Sequence, residues 1–240
     1  MEQYINNAPF ALVIVFLIIG FVFLIKGADF FVEGSSSIAK RLKVPPIIIG
    51  LTIVAMGTSL PETAVSVTAS LVNNNELAVS NVVGSNIFNL MVVVGVCSIL
   101  TPILVQKETI KRDIPFSMIC AFLLLGLGIL AVGDKIGMRL GHLDGIIMLG
   151  FFAGYIVAMI RSAMKARAAG KNMEIEGIEE LEEEIGILSW PKSILFIVGG
   201  ALAIAFGGDL TVDAASRIAI DLGMSQTLVG LTIVSIGTSL

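Results

Sequence analysis

The sequence predicts an all-α, polytopic membrane protein of inverted five-span repeats, comprising the first repeat and the start of the second. Three observations predict it. Apolar runs long enough to cross a bilayer recur along most of the 240 residues. Charged residues, only 14 % of the chain against 56 % hydrophobic, gather between those runs. A 34-residue stretch returns in altered form 180 positions later. The mean hydropathy of +0.97 excludes an ordinary soluble domain.

Seven spans follow from the runs. The first, Pro9–Phe31, follows the acidic start MEQYINNAPF, which lacks the positive n-region of a cleaved signal peptide. The second, Pro45–Val72, is apolar except for the interruption GTSLPET. The third, Leu77–Thr101, carries the polar cluster SNVVGSNIFNL, and the fourth and fifth are Ile114–Val132 and Leu143–Met164. A polar connection follows, with seven glutamates between Glu174 and Glu184, and it reads as a solvated, partly helical linker. The sixth and seventh spans are Pro191–Phe206 and Thr227–Leu240. The domains are therefore residues 1–165 (first repeat), 166–190 (acidic linker) and 191–240 (start of the second repeat). Cys97 and Cys120 fall inside apolar segments, where small buried side chains are the simplest expectation, and two cysteines make no disulfide framework.

Basic residues orient the spans. Lys40, Arg41 and Lys43 follow span one, Lys107, Lys111 and Arg112 follow span three, and Arg161, Lys165, Arg167, Lys171 and Lys192 lie between spans five and six. The other side holds only Lys135, Arg139 and Arg217. The positive-inside rule then places the N-terminus outside and the acidic linker in the cytoplasm of a multi-pass protein of the cell membrane. The implied partner is the lipid bilayer. Nothing points to nucleic acid, and oligomeric state is not encoded in these patterns.

The repeat relates Gly27–Leu60 to Gly207–Leu240 without a gap, with 16 of 34 positions identical. Five spans separate matching points. Five is odd, so span one runs inward where span six runs outward. Such inverted copies underlie alternating access in many secondary transporters, with the substrate site at the repeat interface near mid-membrane. A five-span unit implies ten spans in all, so the chain is expected to be part of a longer transporter.

Glu62 is the chemically telling residue. A carboxylate deep in a span is costly and points to function. Pro61 cannot donate to the turn before it, so the helix is expected to kink ahead of Glu62 and free carbonyls around Met56–Thr58. Those carbonyls, the hydroxyls of Thr58 and Ser59 and the Glu62 carboxylate are hard oxygen ligands. They suit Ca²⁺ and, through flexibility, Na⁺, rather than a soft metal. Thr58 and Glu62, four apart, share a helix face. In span three, Ser85 and Asn89 are likewise four apart and offer neutral oxygens toward Glu62. Asn81 and Asn86 also break the apolar pattern, and Gly84 permits close helix approach. Asp29 and Glu33, matched by Asp209 and Asp213, are either vestibule charges or simply interfacial.

GTSLPE followed by GSNIFN, with a second GTS after five spans, resembles the sodium/calcium exchanger family of calcium/cation antiporters. The resemblance implies a secondary active transporter exchanging Na⁺ for Ca²⁺ by alternating access, with no cofactor and no enzymatic activity. It implies that Glu62 binds both ions and that Thr58, Ser85 and Asn89 contribute. It further implies a backbone carbonyl from Ala55, the matching carbonyl of Ser235, and the second-copy hydroxyls of Thr238 and Ser239. An antiporter driven by H⁺, or carrying another divalent cation, is the alternative reading. A cation channel ranks behind both, since nothing resembles a ring-forming selectivity filter.

Overall fold

A computed structural model describes residues 4, 5, 7–105, 109–130, 140–168 and 186–239. Most of the acidic linker lies outside them. The chain divides into two compact units, one of Met1–Cys97 with Glu174–Leu240 and one of Ser98–Met173. Five helices among the described residues are long and apolar enough to cross a membrane, with a shorter apolar helix at Gln226–Ser239. Large apolar side chains such as Leu12, Ile18, Val22, Leu195 and Leu202 are exposed on their outer faces, as contact with lipid tails requires. Cys97 is exposed and Cys120 half-buried, so neither is the buried filler expected of it.

The first unit begins with α1 (Phe10–Arg41), which runs well beyond the expected end at Phe31. The polar tail GADFFVEGSSSIAKR stays helical because its small and apolar residues, among them Gly34, Ser37 and Ala39, are buried against neighbouring helices. The second span is broken into pieces. α2 (Pro46–Ile49) leads into a π-helical turn at Gly50–Val54, then α3 (Ala55–Gly57), an interruption at Thr58 and Ser59, and α4 (Leu60–Leu71). α5 (Asn75–Phe88) follows, with Asn74 as its cap, its Oδ1 accepting from the Leu77 amide at 3.3 Å. A π turn at Asn89–Val93 and α6 (Val94–Leu100) complete that span.

The second unit contains α7 (Ile114–Leu130) and α8 (His142–Ala168). Phe116 stacks on Tyr155 with centroids 4.4 Å apart, and the Tyr155 hydroxyl donates to Asp113 at 3.1 Å.

The first unit resumes with α9 (Trp190–Leu222), again longer than the expected Pro191–Phe206 and for the same reason. α10 (Gln226–Val229), a π turn at Gly230–Val234 and α11 (Ser235–Ser239) follow. The repeat read from identities is also a repeat of backbone shape. The π turns Gly50–Val54 and Gly230–Val234 stand 180 positions apart, and so do the starts of α1 and α9, of α2 and α10, and of α3 and α11. Even the stop after the long helix matches. Lys43 (φ 59°) and Gly223 (φ 63°) both take the left-handed conformation. The following amides close the same bond, Val44 to Ala39 at 3.0 Å and Met224 to Ala219 at 2.8 Å.

α1 and α9 lie antiparallel along a glycine seam. A Cβ on Gly27 would sit 2.9 Å from the Gly200 carbonyl oxygen, and one on Gly207 would sit 2.8 Å from that of Gly20. The offset of 180 carries Gly20 to Gly200 and Gly27 to Gly207, so the two contacts exchange under it. That is the signature of a local two-fold axis between inverted copies. At one end the seam is tied by polar bonds. Arg41 donates to the Leu188 carbonyl, Ser37 Oγ accepts from the Leu188 amide at 2.8 Å, and Ser193 donates to Ser37 at 3.2 Å.

Candidate functional site

The break at Thr58–Ser59 is where the backbone becomes available. Pro61 has no amide hydrogen, so the Gly57 carbonyl loses its usual helical partner. The other carbonyls near the break are taken locally. Val54 accepts from the Thr58 amide at 3.2 Å, and Met56 accepts from the Ser59 amide at 3.1 Å. The expectation of open carbonyls across Met56–Thr58 therefore narrows, because the Ser59 amide turns back onto Met56. The Ala55 carbonyl accepts the Thr58 hydroxyl at 2.9 Å, and in the second copy Ser235 accepts Thr238 at 3.3 Å. Each copy thus pairs a threonine hydroxyl with the carbonyl three residues earlier.

Glu62 stands in the first turn of α4, half-buried. Its Oε1 accepts the Ser239 hydroxyl at 3.1 Å, joining residues from opposite copies. Its Oε2 is buried without a protein partner. A charged oxygen left unpaired in this way carries a large desolvation cost, which a bound cation would offset. Glu62, Thr58, Ser59, Asn89, Thr238 and Ser239 all line one cavity of ≈ 680 Å³, which also reaches Asp29, Glu33 and Ser36 on α1. Among the described residues, no three His, Cys, Asp or Glu side chains are grouped so that they could hold one metal ion. The donors around Glu62 are hydroxyls, amide oxygens and carbonyls, which suit a hard cation.

Ala55, Ser85 and Ser235 are not on that cavity wall. Ser85 is buried and packs toward the second copy, its Oγ 3.4 Å from Thr238 Oγ1. Ser235 is buried too, its hydroxyl donating to Leu231 at 2.7 Å. Asn86, which also breaks the apolar pattern, is exposed and donates back to Val82 at 2.9 Å.

The hub is Asn81, which the sequence marks only as a break in the apolar pattern and which is fully buried at 0 % exposure. Its Nδ2 donates to the Glu62 carbonyl at 3.1 Å and to Ser66 Oγ at 3.0 Å. Its Oδ1 lies 3.3 Å from the Thr238 hydroxyl. One amide therefore ties the Glu62 backbone to the second copy, and the spacing Asn81–Ser85 on one face of α5 was the available signal. Gly84, on the same helix, makes this approach possible. A Cβ there would lie 2.7 Å from the Leu231 carbonyl oxygen.

The sodium/calcium exchanger protein family matches residues 12–161 and 192–240. CaxA of Alkalimonas amylolytica is 39 % identical over 230 residues, covering 94 % of this chain and 67 % of that protein. The sodium/calcium exchanger MaX1 of Methanosarcina acetivorans is 33 % identical over 247 residues, covering 93 % of this chain and 70 % of its own length. The solved structure of the sodium/calcium exchanger from Methanococcus jannaschii superposes with a TM-score of 0.52 at 27 % identity, covering 96 % of this chain and 68 % of that one. The chain spans about two thirds of the length of these relatives.

Proposed function

The chain belongs to the sodium/calcium exchanger protein family, and from that premise we propose that it exchanges Na⁺ for Ca²⁺ across the membrane at the Glu62 cavity. Family and fold are those of a multi-pass secondary transporter rather than a catalyst. The observation that carries the ion-exchange reading is the meeting of Glu62, just past the helix break of the first copy, with Ser239 of the second copy, beside an unpaired carboxylate oxygen.

In this reading Glu62 supplies the charge, and Thr58, Ser59, Asn89, Thr238 and Ser239 supply neutral oxygens from the cavity wall. Ser85 contributes from the contact with Thr238, and the Ala55 and Ser235 carbonyls contribute through the threonines they accept. Ca²⁺ and Na⁺ compete for overlapping oxygens. An ion neutralises the Glu62 charge, and the seam-locked pair α1 and α9 then shifts over the broken helices to change the open side. With no ion, the naked carboxylate opposes that passage and so couples the two fluxes. Residues 1–165 form the first repeat, 166–190 the cytoplasmic linker and 191–240 the opening of the second repeat, with the N-terminus outside.

The test is Ca²⁺ uptake into proteoliposomes loaded with Na⁺ or with K⁺. Uptake is expected only with the Na⁺ gradient, and Glu62→Gln is expected to lower it by about 100-fold or more, since ligand charge sets Ca²⁺ affinity over decades. Uptake indifferent to Na⁺, or intact in Glu62→Gln, would overturn the proposal. A response to a pH gradient alone would instead select the proton-coupled alternative.

A further inference from the structure

We propose that Asp29 and Glu33 form a low-affinity entry site for a divalent cation such as Ca²⁺ on the α1 wall of the cavity, upstream of Glu62. The proposal rests on the ion-exchange reading of that cavity. The two acids are four residues apart, so they share one helix face, and both line the same ≈ 680 Å³ space as Glu62. They belong to a different helix from Glu62.

Neither acid is consumed by structure. Glu33 has no ion pair or hydrogen bond among the described residues. Asp29 holds Lys26 at 3.0 Å, but both side chains are more than half exposed, at 57 % and 65 %. Such a pair contributes little, and a divalent cation competes with it readily.

A second observation points to a ligand. Ser36, one turn beyond Glu33, lines the same cavity and is only 2 % exposed, yet its Oγ has no hydrogen-bond partner. A buried hydroxyl is ordinarily paired, and one left unpaired beside a cavity points to a ligand there, a cation or its bound water. Residues 29, 33 and 36 therefore run along one face of α1 as a row of oxygens. With only two carboxylates and much solvent, affinity belongs at the weak end, about 10⁻⁴–10⁻³ M. That suits capture and handing on rather than retention, because acids in a low-dielectric cleft concentrate cations near the tighter site.

The second copy repeats the spacing with Asp209 and Asp213 on α9.

The experiment is equilibrium binding of radiolabelled Ca²⁺ at low ionic strength to the purified 240-residue chain. Comparing the parent chain with Glu62→Gln reads the main site: loss of a tighter, Na⁺-displaceable component supports Glu62 as an ion ligand. The entry site is read inside the Glu62→Gln background. One weak Ca²⁺ site is expected to remain, to weaken at least about fivefold on adding Glu33→Gln, and to survive Glu33→Asp, which keeps the charge. Absence of weak binding in Glu62→Gln, or weak binding unchanged in Glu62→Gln/Asp29→Asn/Glu33→Gln, would overturn the proposal. A failed Glu62 comparison leaves the Glu33 result standing, so the two readings fail separately.

Discussion

Replacing Gly84 with alanine tests whether contact between the copies builds the ion cavity. The new Cβ would meet the Leu231 carbonyl oxygen at 2.7 Å, Ser235 Oγ at 2.7 Å and Leu231 Cα at 2.8 Å. Two of these three are backbone atoms, so no rotamer change relieves the clash. Ordinary contact begins near 3.4 Å, so the Gly230–Ser239 segment must retreat from α5 by about 0.7 Å, an overpacking that costs roughly 1–3 kcal/mol. At the scale of 2–4 °C per kcal/mol, the melting temperature falls by about 2–12 °C. The same retreat stretches the Ser85–Thr238 contact from 3.4 Å and the Ser239–Glu62 bond from 3.1 Å to about 4 Å, beyond hydrogen-bonding range. Ca²⁺ affinity is therefore expected to fall together with stability. The assays are thermal unfolding in detergent and equilibrium Ca²⁺ binding, with Gly95→Ala as control. Nothing lies within 4 Å of a Cβ on Gly95, so that variant is neutral or gains up to about 1 kcal/mol of helix propensity. Gly84→Ala matching the Gly95 control in both assays would refute the reasoning.

Three further outcomes follow from the same geometry. Asn81→Leu removes bonds to the Glu62 carbonyl, Ser66 and Thr238; at about 0.6 kcal/mol each in a membrane protein the loss is about 2 kcal/mol, and thermal unfolding should show it. Gly27→Ala and Gly200→Ala enter one contact of the seam, so the double variant is expected to lose less stability than the two singles added, by about 0.5 kcal/mol or more; strict additivity would count against a shared contact. Lys43→Gly relieves a left-handed non-glycine residue, whereas Gly223→Ala creates one, so denaturation should show the first stabilising and the second destabilising, each by up to about 1 kcal/mol.

Much of this architecture is legible in the sequence. Composition established the membrane class, because a chain of 56 % hydrophobic residues cannot cover itself with polar surface in water. The offset of 180 was readable from identities, and the π turns at Gly50–Val54 and Gly230–Val234 obey it to the residue. The break near Glu62 was readable too, since a proline inside an otherwise continuous apolar run removes an amide hydrogen from the helical ladder.

Tertiary structure decided which polar side chains meet. Spacing puts Asn81, Ser85 and Asn89 on related faces of one span, but it does not say how that span is rotated against its neighbours. Close packing through Gly84 sets the rotation. It turns Asn81 onto the Glu62 backbone, points Ser85 at Thr238 and leaves Asn89 on the cavity wall. The lengths of α1 and α9 were likewise hidden, because their polar ends are kept helical by burial against neighbouring helices rather than by hydropathy. Periodicity along a chain is a local property that sequence determines, while the rotation of one helix against another depends on steric contact between residues far apart in that chain.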